Sequence, residues 1–283
     1  MSIPKTIRVL ALGDLVGRPG RRVVREKLAQ VRAEHKIDFV ICNVENATNG
    51  AGTRIKEAQD IIASGVDCCT NGDHIVDYPE IFPMLNSNPR LLRPINYKMA
   101  GHGAWVYPLD NGVKIGVINA CGQVFMKPHM EATNPFPLVD EAVAKMREQT
   151  PVVFLDMHGE ATSEKVAMGW MLDGKVSGVF GSHTHVQTAD VQVLPQGTGY
   201  ITDLGMTGPY HSVIGRDKDL VVQRFLTEKH IYMKVARRWA RMSGAIFTVE
   251  SATGHCVDAQ LFTHKLEADE AANDPQYIEA DGA

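Results

Sequence analysis

Six short runs rich in valine and isoleucine, at residues 7–12, 39–42, 66–69, 113–118, 152–155 and 176–180, alternate with segments of helical period. A run that is apolar at every position reads as a strand buried on both faces, as in a parallel sheet covered by helices. Between the first two runs, Val24, Leu28 and Val31 repeat at helical spacing after the breaker Gly17-Arg18-Pro19-Gly20, which predicts a helix over 21–33. The same pattern predicts helices over 55–63, 78–85, 139–147, 163–172 and 218–226. Strand, helix, strand order makes the chain α/β, with right-handed crossovers. After residue 189 the pattern changes to short alternating segments at 191–194, 200–202, 231–235, 245–249 and 257–262, separated by glycine-containing turns. These predict antiparallel strands that complete a second sheet.

The 283 residues contain no internal repeat and no Pro-rich or Ser-rich linker, so a single domain over 1–265 is expected. The remaining stretch, 266–283, carries Glu267, Asp269, Glu270, Asp274, Glu279 and Asp281 with no lysine or arginine, and is expected to be a disordered acidic tail. With those acids set apart, the formal charge of −4 leaves a near-neutral body, which excludes a strongly basic protein that coats nucleic acid. A chain of this length buries a full core without disulfides or structural metals, so a metal here would be functional. The five cysteines are odd in number, scattered and never spaced C-x-x-C, and no run reaches the ~18 apolar residues of a membrane span. A reduced, cytoplasmic protein without a membrane segment is the expectation.

Polar clusters follow five of the apolar runs: Gly13-Asp14, Asn43-Val44-Glu45-Asn46, Asn71-Gly72-Asp73-His74, His158-Gly159-Glu160 and Gly181-Ser182-His183-Thr184-His185. In an open α/β sheet the carboxyl ends of parallel strands share one edge, and ligands bind outside it. Taken singly, the members have plainer roles. Asp14 reads as a cap or turn residue, Asn43 and Asn46 as turn formers, His158 as a bonded structural histidine and Glu160 as a solvated charge at a helix start. Taken together, Asp14, Asp73, Glu45, Asn46 and the histidines at 74, 158, 183 and 185 form an oxygen and imidazole set that suits Mn, Fe or Zn. Two metals about 3.5–4 Å apart need a bridging carboxylate and several further ligands each, and this set is large enough. One metal would leave several of these groups without a task.

Other templates fail. Gly13, Gly17 and Gly20 match neither the dinucleotide fingerprint nor a P-loop, and neither H-E-x-x-H nor G-x-S-x-G occurs. What the chain does contain, in order, is Gly13-Asp14-Leu15-Val16-Gly17-Arg18-Pro19-Gly20, Glu45-Asn46-Ala47, Gly72-Asp73-His74, His158-Gly159-Glu160-Ala161-Thr162-Ser163-Glu164-Lys165, Gly181-Ser182-His183-Thr184-His185-Val186-Gln187-Thr188-Ala189-Asp190 and Ile201-Thr202-Asp203-Leu204-Gly205-Met206-Thr207-Gly208-Pro209. This series resembles the YmdB-like branch of the calcineurin-like metallophosphoesterases, over most of the chain.

The resemblance implies a four-layer αββα sandwich of the calcineurin-like metallophosphoesterase type. It also implies a dinuclear phosphodiesterase that hydrolyses cyclic nucleotides, 2′,3′-cyclic and also 3′,5′-cyclic, by attack of a metal-bound hydroxide. One ion would be held by Asp14, Glu45, Asn46 and His185, the other by Glu45, Asp73, His158 and His183, with Glu45 bridging. His74 would be the proton donor to the leaving oxygen. The two ions would be divalent or mixed-valence, Fe or Mn ahead of Zn or Mg. Asp73 departs from the pattern, since this branch usually has Asn in a Gly-Asn-His motif. Arg18, Arg54 and Arg216 flank the motif loops, as surface charges or as phosphate grips. Two other classes stay open: a metal-containing regulatory protein that binds nucleotide or RNA with little turnover, and a phosphomonoesterase. RNA as a partner and a homo-oligomer are compatible with the sequence.

Overall fold

The computed structural model describes residues 3–126 and 131–266. The six apolar runs are strands: β1 (Thr6–Leu12), β3 (Phe39–Asn43), β4 (Cys68–Thr70), β6 (Lys114–Cys121), β7 (Val153–His158) and β8 (Gly178–Ser182). All but β1 extend one to three residues beyond the apolar run, and β3, β7 and β8 reach into the polar cluster that follows. Residues such as Asn43, Asp156 and Ser182 can lie inside buried strands because they bond one another across the sheets. The other strands among the described residues are β2 (Asp14–Leu15), β5 (Ala104–Pro108), β9 (Gln192–Val193), β10 (Gly199–Ile201), β11 (Met206–Pro209), β12 (Ala240–Glu250) and β13 (Cys256–Lys265). The predicted helices are α1 (Gly17–His35), α2 (Ile55–Ala63), α3 (Phe82–Ser87), α4 (Pro135–Arg147), α5 (Thr162–Leu172) and α6 (Lys218–Thr227). Helix α1 starts before the predicted residue 21 because Pro19, with its fixed φ, is accommodated in the first turn of a helix.

Two sheets lie face to face. The first runs β2-β11-β12-β1-β3-β4, with β13 on β12, and the second runs β5-β6-β7-β8-β10-β9. Alternation along the strands sorts the core into three clusters. Ile7, Val9 and Ala11 of β1 face the space between the sheets with Phe154, Phe180 and Phe247; the Phe247 ring meets Phe154 tilted at 5.7 Å and stacks on Phe180 at 6.3 Å between centroids. Leu10 and Leu12 turn the other way, onto Val24, Leu28 and Val31 of α1 and Ala58 and Ile61 of α2. Beyond the second sheet, Ile118, Leu155 and Met157 pack on Val139 and Val143 of α4 and Met168 of α5. Helix, sheet, sheet, helix is the four-layer sandwich that the motifs imply.

Three expectations change. The late alternating segments do not all build the second sheet: β12 and β13 form a hairpin of the first, with β12 antiparallel to β1, while β10 runs parallel to β8. Residues 231–235 are not a strand: Val235 bridges to Arg216 and Lys234 O accepts the Asp217 N–H, so the segment pairs with a short loop and not with a sheet edge. Leu266, expected to open the tail, is instead packed against the body. Leu266 is buried and donates its N–H to Ala240 O, and residues 267–283 lie outside the described residues. All five cysteines are buried free thiols, and no described helix is long and apolar enough to cross a membrane.

Candidate metal centre

The carboxyl ends of β1, β3 and β4 in one sheet meet those of β7 and β8 in the other, and all eight residues singled out from the sequence sit on them. Asp14 opens β2 one residue past β1. Glu45 and Asn46 lie in a tight turn after β3, closed by the Ala47 N–H on Val44 O at 2.9 Å. Asp73 and His74 start a 3-10 turn (Asp73–Val76) after β4. His158 ends β7, and His183 and His185 follow β8. Gly72 is what lets the two sheets approach here. A Cβ at that position would fall 2.2 Å from His158 Nε2 and 2.3 Å from Glu45 Oε2, so only glycine fits.

Four of the groups form one knot. His158 Nε2 lies 3.2 Å from Glu45 Oε1 and 3.1 Å from Asp73 Oδ1, while His183 Nδ1 lies 3.4 Å from Asp73 Oδ1 and 3.0 Å from His158 Nε2. Each of these four residues offers a ligand atom within 4.8 Å of the others. The remaining groups stand on the other side of Glu45. The Asn46 amide is 3.2 Å from Glu45 Oε1 and 3.3 Å from His185 Nε2, and His185 Nε2 is 3.8 Å from Asp14 Oδ1. The Glu45 side chain thus touches both halves, and Asp14 reaches the knot through the His183 N–H. His74 lies beside it, with its backbone N–H on Glu45 Oε2 at 3.1 Å and its ring Nδ1 on Asp77 Oδ2 at 2.9 Å.

The donor set fits a cation. Asp14 Oδ2 accepts the His183 N–H, but Asp14 Oδ1 is fully buried and meets no hydrogen-bond donor. A buried acceptor without a partner costs roughly 1–3 kcal/mol, and more when charged, so this oxygen is shaped for something other than a protein group. Three carboxylates also share the pocket, and burial raises the Asp14 pKa. Burial likewise works against charge on His158. Glu45, Asp73 and Asp14 outweigh it and raise the imidazole well above its ordinary pKa, the pull of acids for which a metal's charge would compete.

The histidines are aimed from outside. His185 Nδ1 bonds Ile214 O at 2.9 Å, and His158 Nδ1 bonds Ser182 Oγ at 3.0 Å, while that hydroxyl in turn donates to Asp156 Oδ1 at 2.6 Å. Both rings therefore turn Nε2, with its lone pair, toward the acids. Asp156 is itself fully buried, and burial pushes its pKa up to about 6 even though Ser182 and Thr70 donate to it. A buried pair, Lys165 Nζ to Asp203 Oδ2 at 2.9 Å, holds the loop after β8: Lys165 also donates to Ser182 O, and Asp203 accepts the Thr184 N–H.

Asp156, Ser182, Asn43, Asp77 and Ile214 were not among the sequence candidates for site roles. Asp156 had a signal, a charge inside an apolar strand. Ile214 had none, because its carbonyl acts and its side chain does not. Of the flanking arginines, Arg216 is bonded to Asn49 O, Gly50 O and Met233 O, tying the Ile214 loop to the turn after Asn46, and Arg54 lies over the Tyr78 ring at 4.6 Å. Glu160, read from the sequence as a solvated charge, reaches His183 Nε2 at 3.2 Å.

Comparison with known proteins adds three findings. A family model described as YmdB-like protein matches residues 10–262. The 2′,3′-cyclic-nucleotide 2′-phosphodiesterase of Bacillus subtilis is 41% identical over 252 residues, 89% of this chain and 94% of that protein. Among solved structures, a novel phosphatase from Mycoplasma pneumoniae superimposes with a TM-score of 0.86 at 29% identity, covering 96% of this chain and 98% of that one. A hypothetical protein from Thermus thermophilus gives 0.84 at 35% identity, covering 92% and 100%.

Proposed function

The chain belongs to the YmdB-like family, and from that premise we propose that it is a dinuclear, metal-dependent phosphodiesterase acting on 2′,3′-cyclic nucleotides, and on 3′,5′-cyclic ones as further substrates. The observation that carries the metal reading is the buried, partnerless Asp14 Oδ1 beside the knot of carboxylates and imidazoles. The substrate follows from the named activity of the B. subtilis relative. Asp14, Glu45, Asn46 and His185 would hold one ion, and Glu45, Asp73, His158 and His183 the other. Oxygen and imidazole donors without thiolate favour Fe or Mn. Such a pair of cations supplies Lewis acidity, making a nucleophile available near neutral pH and offsetting phosphate charge.

The chain's own part in the reaction is positioning and proton transfer. Asp77 accepts from His74 Nδ1, so Nε2 is the nitrogen that would deliver a proton to the substrate. Burial works to strip His74 of its proton, but Glu45, Asp73 and Asp77 outweigh it and raise its pKa above the ordinary imidazole value. His74 therefore holds the proton that the departing 2′ oxygen takes as the P–O2′ bond breaks, leaving a nucleoside 3′-phosphate. The test is multiple turnover with added Mn²⁺. Adenosine 2′,3′-cyclic phosphate should be converted to the 3′-phosphate and EDTA should stop the reaction. Turnover of adenosine 3′-phosphate alone would favour the phosphomonoesterase reading that the M. pneumoniae phosphatase suggests. Binding of both without turnover would favour the regulatory one.

Asp73 gives a finer check. As a carboxylate 3.1 Å from His158 Nε2 it brings a full negative charge to a position where an amide would bring none. Asp73→Asn should keep the fold and weaken Mn²⁺ binding at least tenfold, about 1.4 kcal/mol, a small part of the attraction between charges a few ångströms apart. Calorimetric titration of the metal-free protein measures it, and unchanged affinity would remove Asp73 from the ligand set.

A further inference from the structure

Glu160 has no task in the site as described, yet its carboxylate is directed at one of the site's histidines. It stands two residues past His158 and ahead of α5, and it is half exposed, with Oε2 3.2 Å from His183 Nε2. The other nitrogen of that ring, Nδ1, faces inward, toward His158 Nε2 and Asp73 Oδ1. An ionised carboxylate only accepts hydrogen bonds, and Glu160 is the nearer of the two on this ring, at 3.2 Å against 3.4 Å for Asp73, so it favours the hydrogen on Nε2. A neutral imidazole has one N–H. Placing it on Nε2 leaves Nδ1 with a bare lone pair, the form a metal takes.

His183 needs this help more than its neighbours do. It is the one ring of the three that points Nδ1 inward, whereas His158 and His185 point Nε2. His158 is fully buried and walled in, but the His183 side chain is 23% exposed, so water competes for its outer nitrogen. Its backbone sits at φ 100°, a conformation that side chains rarely adopt, and its N–H is tied to Asp14. Reaching the acids through Nδ1 brings the backbone close, and an outer acceptor is then required to hold the ring's far end.

We infer that Glu160 is a positioning residue that fixes His183 as the Nε2–H tautomer and aims Nδ1 at the metal site of Asp73 and His158. The inference rests on the dinuclear reading above. Loss of the outer partner of a metal-bound histidine typically costs about 10–100-fold in metal affinity. In Mn²⁺ titrations of the metal-free full-length chain, Glu160→Ala should weaken one of two binding events by about that factor and leave the other unchanged. Glu160→Gln should stay close to wild type, because its amide oxygen still accepts from Nε2. Wild-type binding of both ions by Glu160→Ala would overturn the inference, and so would a loss in Glu160→Gln equal to that in Glu160→Ala, which would mean that charge alone matters. A second arm needs no metal. Long-range ¹H–¹⁵N spectra at mildly alkaline pH should show His183 as Nε2–H in the wild type and as a tautomer mixture in Glu160→Ala. The same tautomer in both would overturn the inference even if two ions bind. Failure of the wild type to bind two ions, with the tautomer shift present, would instead fall on the dinuclear reading.

Discussion

Replacing Glu45 with alanine should leave a folded protein that binds less than one Mn²⁺ per chain and has lost about 10³-fold or more in kcat/KM on a 2′,3′-cyclic nucleotide, the equivalent of roughly 4 kcal/mol of Lewis-acid stabilisation. Glu45 is 1% exposed, and its two oxygens reach His158, the Asn46 amide and the His74 N–H, so it stands where the two halves of the centre meet. The fold should survive because Asp14 and Asp73 remain beside His158, and because removing one of three neighbouring carboxylates relieves repulsion in the metal-free protein. Elemental analysis and steady-state kinetics at saturating Mn²⁺ measure the two losses. Full metal content in Glu45→Ala would mean that Glu45 is not the bridge.

His74→Ala should separate chemistry from metal binding. The ring bonds Asp77 and contributes no atom to the four-residue knot, so two Mn²⁺ should still bind. Hydrolysis of the cyclic nucleotide, whose alkoxide leaving group needs a proton, should fall by about 10²–10⁴-fold. On bis-p-nitrophenyl phosphate, whose nitrophenolate departs without one, the loss should be much smaller. Equal losses on the two substrates would take proton donation away from His74 and leave it a binding residue.

The layout of this centre was legible from the sequence because its parts sit at the ends of buried strands, where local pattern and tertiary position coincide. Asp14, Glu45, Asp73, His158 and His183 each follow an apolar run, and parallel strands bring such positions to one edge. What supports them was not legible. The bonds from Asn43 to Ser182 and from Lys165 to Asp203 span 139 and 38 residues, and nothing in local spacing announces them. Ile214 acts through its carbonyl, which every residue possesses. The hairpin of β12 and β13 was recognisable as strands from alternation, but alternation says which residues face inward and not which sheet they join, so its place beside β1 was missed.

Asp14, Glu45, Asn46 and Asp73 all precede residue 74, while His158, His183 and His185 all follow residue 157 and the strand that flanks β1 begins only at Ala240. A chain still being translated therefore passes through a long stage in which it holds the acids and none of these three imidazoles. Oxygen donors alone suit hard ions such as Mg²⁺ or Ca²⁺ and make a poor cage for a close pair of transition metals. The full donor set thus comes together only after His185 has been made, and the antiparallel neighbour of β1 only after residue 240.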